Sequence, residues 1–189
     1  MERQDQIMKI AEQTIEINGQ KMILRSPEAK DAAEFLNVRR VTLEESYYMA
    51  RYPEEITSTV EDVAGMLEKV NASENEFYIG AFVGETMVGC LNVAKMGSHI
   101  KYRHKVGLGI SILDAFCNGG LGTQMMKLAI ETVKMTPIEQ IELGVFADNL
   151  RAYHLYQKLG FVEWGREPRA FKLKDGTYHD EIQMVLMLR

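Results

Sequence analysis

The chain is poor in cysteine, with only Cys90 and Cys117 among 189 residues. Two are too few for a disulfide framework or a four-cysteine zinc site. Proline is scarce too, at four, and no Pro- or Ser-rich stretch divides the chain. No apolar run approaches the ~20 residues that a membrane-spanning helix needs. Residues 1–5 carry charge and lead into no apolar segment, so no secretory signal is expected. Basic residues are outnumbered, 22 Lys and Arg against 27 Asp and Glu, for a net charge of −5. Nucleic-acid binders usually show the opposite balance. Internal repeats and low-complexity tracts are missing as well. Together these absences set aside disordered, fibrous, coiled-coil and membrane classes. They lead to the expectation of a cytoplasmic protein that meets neither membrane nor nucleic acid.

What is present is ordinary globular material, 46% hydrophobic and 26% charged. The length suits one domain. A chain of this size buries roughly two-thirds of the surface it exposes when unfolded. The alternating runs 14–17 and 22–25 flank Asn18-Gly19, a strong hairpin signal. Pro27 starts a helical stretch reaching about residue 49, and the 57–62 segment caps a second helix to about residue 70. Period-two patterning then marks strands over 77–83, 87–94 and 106–113, the last almost wholly apolar and therefore central. An amphipathic helix over 120–135 and a strand over 138–146 follow. A short helix over 149–159 precedes two strands around the turn Lys174-Asp175-Gly176. The order is ββααββ, βαβα, ββ: one α/β domain with a mixed, mostly antiparallel central sheet flanked by helices. Residues 1–20 read as an N-terminal extension with the first strand, and 21–189 as the domain.

Five of the fifteen glycines fall between positions 107 and 122. Gly119, Gly120 and Gly122 lie where the apolar strand meets a helix. Such a loop can aim backbone N–H groups at a phosphate beside the helix N-terminus. The Lys-Ser/Thr of a Walker loop is missing, as is the third glycine of a dinucleotide fingerprint. By themselves the glycines fit a tight turn and close strand–helix contact equally well.

Two segments taken together decide between these readings. Cys117-Asn118-Gly119-Gly120-Leu121-Gly122 resembles the pyrophosphate loop of the GCN5-related N-acetyltransferase (GNAT) superfamily, usually Gln/Arg-x-x-Gly-x-Gly/Ala. The run 149–161, with Asn149, Ala152, Leu155-Tyr156, Lys158 and Gly160-Phe161, resembles its Asn…Ala…Leu-Tyr-x-Lys-x-Gly-Phe signature. The resemblance covers residues 22–189, and its ending is like that of bacterial members. It departs at Cys117, where Arg or Gln is usual, and at Asn118, which replaces a frequent glycine.

The resemblance implies an acetyl-CoA-dependent N-acetyltransferase. The acetyl group would pass to a primary amine of a small molecule or protein N-terminus, by direct attack in a ternary complex and without a metal. A catalytically silent acyl-CoA-binding module or sensor is the alternative, and Tyr156 argues against it. By the same resemblance Tyr156 is the acid for the leaving thiolate. Backbone groups of Ile112, Leu113 and Asp114 hold the pantetheine arm and supply the oxyanion donor. Cys117, Asn118, Gly119, Gly120, Leu121, Gly122 and Thr123 form the pyrophosphate cradle. Asn149 contacts the cofactor or caps its helix, and both roles can hold at once. Lys158 reaches a phosphate or solvent. Cys117 near a helix N-terminus is either a thiol of lowered pKa or, the favoured reading, a small half-buried side chain. The central strand carries no carboxylate, so the base comes from elsewhere: Glu45 first, then Glu44, Glu142 or a water chain. The segment 44–53, rich in aromatics and carboxylates, is expected at the acceptor pocket and suits a cationic amine. Homodimers are common in the superfamily, and no feature of this sequence requires one.

Overall fold

The computed structural model describes residues 8–189. Among them β1 (Gln13–Ile17) and β2 (Gln20–Arg25) form the expected hairpin. Its two turn residues have positive φ, 50° at Asn18 and 78° at Gly19, which suits the right-handed strand twist. Helices α1 (Ala32–Glu45) and α2 (Val60–Asn71) follow. Thr59 and Asp62 cap α2 reciprocally, the side chain of each accepting from the backbone of the other. Then come β3 (Phe77–Val83), β4 (Thr86–Lys95), β5 (Lys105–Ile112), α3 (Leu121–Lys134), β6 (Gln140–Phe146), α4 (Leu150–Lys158), β7 (Val162–Lys172) and β8 (Tyr178–Met187).

One sheet takes all eight strands in the order β1-β2-β3-β4-β5-β6-β8-β7. Each pairing is antiparallel except β5 with β6. Period-two alternation sends side chains to opposite faces, and both faces are covered. Phe35 and Val38 of α1 and Val63 and Leu67 of α2 bury against Phe82, Met87 and Cys90. On the other face Leu121, Met125, Ala129 and Val133 of α3 pack with Leu91, Val106, Ile141, Val145 and Met184. Among the described residues no helix is long and apolar enough to cross a membrane.

Two departures from the sequence reading concern the site. Helix α1 ends at Glu45, not near residue 49, because Ser46 turns extended (φ −155°, ψ 138°). The central strand is apolar as expected, yet positions 109–112 are only half-buried. The cause is topological. β5 pairs with β6 only from Lys105↔Gln140 to Gly107↔Glu142, after which β6 continues against β8 and leaves β5. The sheet therefore splits between the C-terminal halves of β5 and β6.

A charged pair anchors the entry to α1. Arg25 on β2 grips Asp31 with two hydrogen bonds, at 2.6 and 2.9 Å, and Asp31 is 8% exposed. Burial pushes the Asp31 carboxyl up. The Arg25 hydrogen bond, the Glu28 backbone N–H and the Arg25 charge overcome this, and the net shift is downward. Asp31→Asn breaks a largely buried pair and is expected to cost about 3 kcal/mol in denaturant unfolding. The sign of the pH dependence follows from the lowered native value. The stabilisation is complete above the unfolded carboxyl pKa, about 3.9, and is lost as pH falls through the native value. Acid titration of Asp31→Asn should lack this loss.

Candidate active site

The split in the sheet leaves one edge of β5 unpaired. Leu113 N–H donates to Val88 O at 3.0 Å, so in the unbroken β4–β5 register alternate residues bond to β4. The intervening backbone groups, those of Ile110 and Ile112, point into the gap. Val88 is the extra residue of a bulge, since Ala81 faces Gly89 while Phe82 faces Met87. Of the three expected strand-end donors, Leu113 N–H is thus taken by Val88. Asp114 N–H is taken by Glu45, whose Oε2 accepts it at 2.9 Å. Ile112 N–H is the one directed at the gap.

Beyond Ile112 the chain makes a 3-10 turn (Asp114–Phe116) and enters the glycine loop. Asn118 and Gly120 both have left-handed backbone, φ 63° and 98°. Their conformation turns successive N–H groups outward. The N–H groups of Asn118, Gly119, Gly120, Leu121, Gly122 and Thr123 have no hydrogen-bond partner among the described residues. Gly122 is needed for packing, because a Cβ there would press on Leu155 at 3.3 Å and Ile112 at 3.4 Å. Unpartnered donors in series at the start of a 14-residue helix fit a diphosphate. The loop therefore offers a diphosphate main-chain donors alone, with no cationic side chain at position 117.

Cys117 does not have an activated thiol. Burial pushes its pKa up, and its Sγ lies 3.8 Å from Ile112 O, placed to donate. The helix begins four residues later, so its N-terminal field is not centred on this sulfur.

Tyr156 lies on α4, 7% exposed, packed near Phe161 with ring centroids 6.0 Å apart. It belongs to the cluster beneath α3, on the same side of the sheet as the glycine loop. Its hydroxyl makes no hydrogen bond among the described residues, and none of their fully buried side-chain polar atoms lacks a partner. The hydroxyl therefore reaches water at the edge of the core. Burial pushes the phenol up to about 12, which keeps it protonated at neutral pH. Asn149 caps α4, its Oδ1 accepting from Ala152 N at 3.2 Å. Its amide NH2 remains available to a ligand. Lys158 is exposed.

The other face of the gap carries a second set of groups. After α1 the chain crosses over the end of β6. Tyr47 donates to Asp148 Oδ2 at 2.8 Å, across 101 residues of sequence, and His179 Nδ1 meets the same oxygen at 3.0 Å. Phe146 and Phe171 stack at 3.9 Å beside them. Hydrogen bonds to Tyr48 and Asp148 push the Tyr47 phenol up. A pocket of about 470 Å³ lies here, lined by residues that include Glu44, Glu45, Tyr47, Arg51, Tyr52, Phe146 and Phe171. At the β7–β8 turn Lys174 donates its N–H to Tyr52, a wall of this pocket, and pairs with Glu54. A larger cavity of about 1270 Å³ lies at the opposite end of β5 and contains none of the expected site residues.

Gly122 of the loop lies against Ile112 and Leu155, the neighbour of Tyr156, and Arg151, two residues after Asn149, reaches Asp114 at 3.3 Å. Glu45 joins them at the strand end, but as the partner of a backbone N–H. Glu142 stands apart at the closed end of the split, held by Lys105 at 2.8 Å and Gln140 at 2.7 Å. Among the described residues no group of three or more His, Cys, Asp and Glu could hold a metal. The sequence reading missed Asp148, His179 and Arg151, which pairs with Asp114 at 3.3 Å.

The model of the acetyltransferase (GNAT) family matches residues 36–161. The chain belongs to that family. Its acetyl-donating co-substrate is acetyl-CoA, and it is an acetyltransferase. A GNAT-family acetyltransferase from Streptococcus pneumoniae is 30% identical, with a TM-score of 0.82 over 88% of this chain and 99% of that one. The putative acetyltransferase yncA from Salmonella typhimurium, solved with its cofactor acetyl-CoA, is 17% identical with a TM-score of 0.79, covering 89% and 94%. An N-acetyltransferase from Staphylococcus aureus Mu50, at 15% identity, reaches 0.79 over 89% and 99%. No curated protein matches this chain in sequence.

Proposed function

We propose that this GNAT enzyme transfers acetyl to a primary amine of a small molecule or a protein N-terminus, by direct attack in a ternary complex. The observation that carries the reading is the position of Tyr156. A phenol with no partner among the described residues reaches water on the glycine-loop side of a split sheet, with an aromatic pocket on the other side. The split lets the thioester and the amine meet from opposite faces, which lowers the barrier by orientation alone. Tyr47, Tyr52, Phe146 and Phe171 offer aromatic surface to an ammonium group, with Glu44 and Glu45 standing beside Arg51 and Lys172.

In this mechanism Ile112 N–H is the donor left for the developing oxyanion. The amine nitrogen bonds to the thioester carbonyl carbon, and the C–S bond breaks with its electron pair going to sulfur. Tyr156 gives its proton to that sulfur. The second proton leaving the nitrogen restores the phenol. The domain is taken as residues 21–189, with 1–20 as an extension bearing the first strand. Free Cys90 and Cys117 suit a cytoplasmic setting.

Two measurements test the reading. Acetyl-CoA at about 100 times its Kd is expected to stabilise the protein by about 2.7 kcal/mol. For a chain of this size that raises Tm by about 5–11 °C. NAD and ATP should leave Tm unchanged. A thiol-release assay over small amines, polyamines, amino acids and peptides should then show turnover with at least one class. Unchanged Tm with acetyl-CoA, or thiol release independent of every amine, would overturn it.

A further inference from the structure

The apolar central strand leaves the deprotonation of the acceptor unexplained. An alkylammonium has a pKa near 10.4, so at neutral pH it needs a base before it can attack. Glu45 accepts Asp114 N–H through Oε2 and is exposed, and Glu142 is held by both Lys105 and Gln140. The β8 strand supplies another carboxylate. Ile182 and Met184 point into the core beneath α3, so Glu181 and Gln183 face the opposite side, that of the acceptor pocket. Glu181 is paired in register with Phe146, a wall of that pocket. Its side chain lies across Gly144 on β6, two residues beyond the point where β5 and β6 part.

Gly144 is open for a reason. A Cβ there would collide with the Glu181 carboxylate, so the missing side chain is what lets this carboxylate lie against the split. Gln183 donates to Glu181 Oε2 and fixes the group. Oε1 has no hydrogen-bond partner among the described residues, and none of their fully buried polar atoms is unpartnered, so Oε1 meets water. Tyr156 belongs to the core on the other face. A proton donor and a proton acceptor thus flank the gap from its two sides.

We propose that Glu181 is the base that takes the proton from the acceptor amine. The role rests on the amine-acetylation reading above and completes its proton balance. One proton passes from the ammonium to Glu181, directly or through a water, and on to solvent. The second leaves nitrogen after the C–N bond forms and replaces the one Tyr156 gives to sulfur. The products are the N-acetyl amine, free thiol and one released proton. Burial pushes the Glu181 carboxyl up and cross-strand Glu167 adds to this, while the Gln183 bond pulls down. The net shift is upward, toward the pH at which a base must work. The other titratable groups on this side are His179, bound to Asp148, Tyr47 and Tyr48 from the loop after α1, Glu44, Glu45, Arg51, Tyr52 and Lys172 around the pocket, and Glu142 with Lys105 farther along β6.

The test is the pH profile of kcat/KM for wild type, Glu181→Gln and Glu45→Gln on an amine found active. Glu181→Gln keeps shape and the Gln183 contact. It is expected to lose about 10²–10⁴-fold at neutral pH. Its acidic limb should vanish into a continuous rise with pH as free amine accumulates. Its Tm shift with acetyl-CoA should match wild type. Gly144→Ala, which displaces the carboxylate without removing it, should show the same loss. Retention of activity within about threefold in Glu181→Gln, or loss of the acidic limb in Glu45→Gln alone, overturns the assignment. If wild type itself acetylates no amine, the parent reading falls and this role with it.

Discussion

Tyr156→Phe is expected to lower kcat by about 10²- to 10³-fold while leaving acetyl-CoA affinity within about twofold. The range is that of a lost general acid. The substitution removes one oxygen and keeps the ring against Phe161, so the packing of a 7% exposed residue survives. Its hydroxyl holds no protein partner among the described residues, so no buried group is orphaned when it goes. Denaturant unfolding should therefore change by less than about 1 kcal/mol. A phenol pushed up to about 12 stays protonated throughout the ordinary assay range. The wild-type profile should accordingly show no basic limb from this group below about pH 11. Its proton affinity does not prevent donation, because the same low-polarity surroundings that hold its proton also raise the basicity of the departing thiolate. Full turnover in Tyr156→Phe, with a normal Tm response to acetyl-CoA, would show that the thiolate leaves unassisted.

The second large effect falls on binding. Gly120 has φ 98°, a conformation β-branched residues adopt only under strain. Its position is otherwise open, with nothing within 4 Å of an added Cβ, so steric contact is not the problem. Gly120→Val should cost about 1–3 kcal/mol if the loop keeps its shape. Relaxation of the backbone would instead turn the N–H groups of Asn118 to Thr123 away from one another. Either way the cradle is weakened, since it consists of main-chain donors with no side-chain cation at position 117. Isothermal titration should show acetyl-CoA affinity falling by at least tenfold. The Tm of the free protein should drop by about 2–12 °C. Unchanged affinity would mean that the diphosphate is held elsewhere.

Both predictions concern residues that local pattern made visible. Asn18-Gly19, the Thr59–Asp62 cap and the period-two strands lie within a few residues of the structure they specify, and each forms where expected. The glycine loop and the Tyr156 segment form contiguous motifs and are equally legible. The helix α1 end was overrun by four residues. Ser46 turns extended there and its Oγ accepts from Tyr48 N–H, and the loop that follows is held by Tyr47 reaching Asp148 across the fold.

The side of the gap that carries Tyr47, Asp148 and His179 was the least legible part. Glu181 reads from sequence as one outward position of an alternating strand. It becomes a candidate base because β8 inserts between β6 and β7, which sets it across Gly144. Asp148 gathers Tyr47 and His179 from elements 101 and 31 residues away, and no spacing rule links them. The amino-acid sequence determined the order of elements, which side chains face inward and the left-handed backbone turn of the glycine loop. These depend on neighbours a few residues apart, through dihedral preference and periodicity. Tertiary structure alone decided where the sheet splits and which carboxylate reaches the split. Those follow from strand order and register, set by the joint burial of side chains distant in the chain.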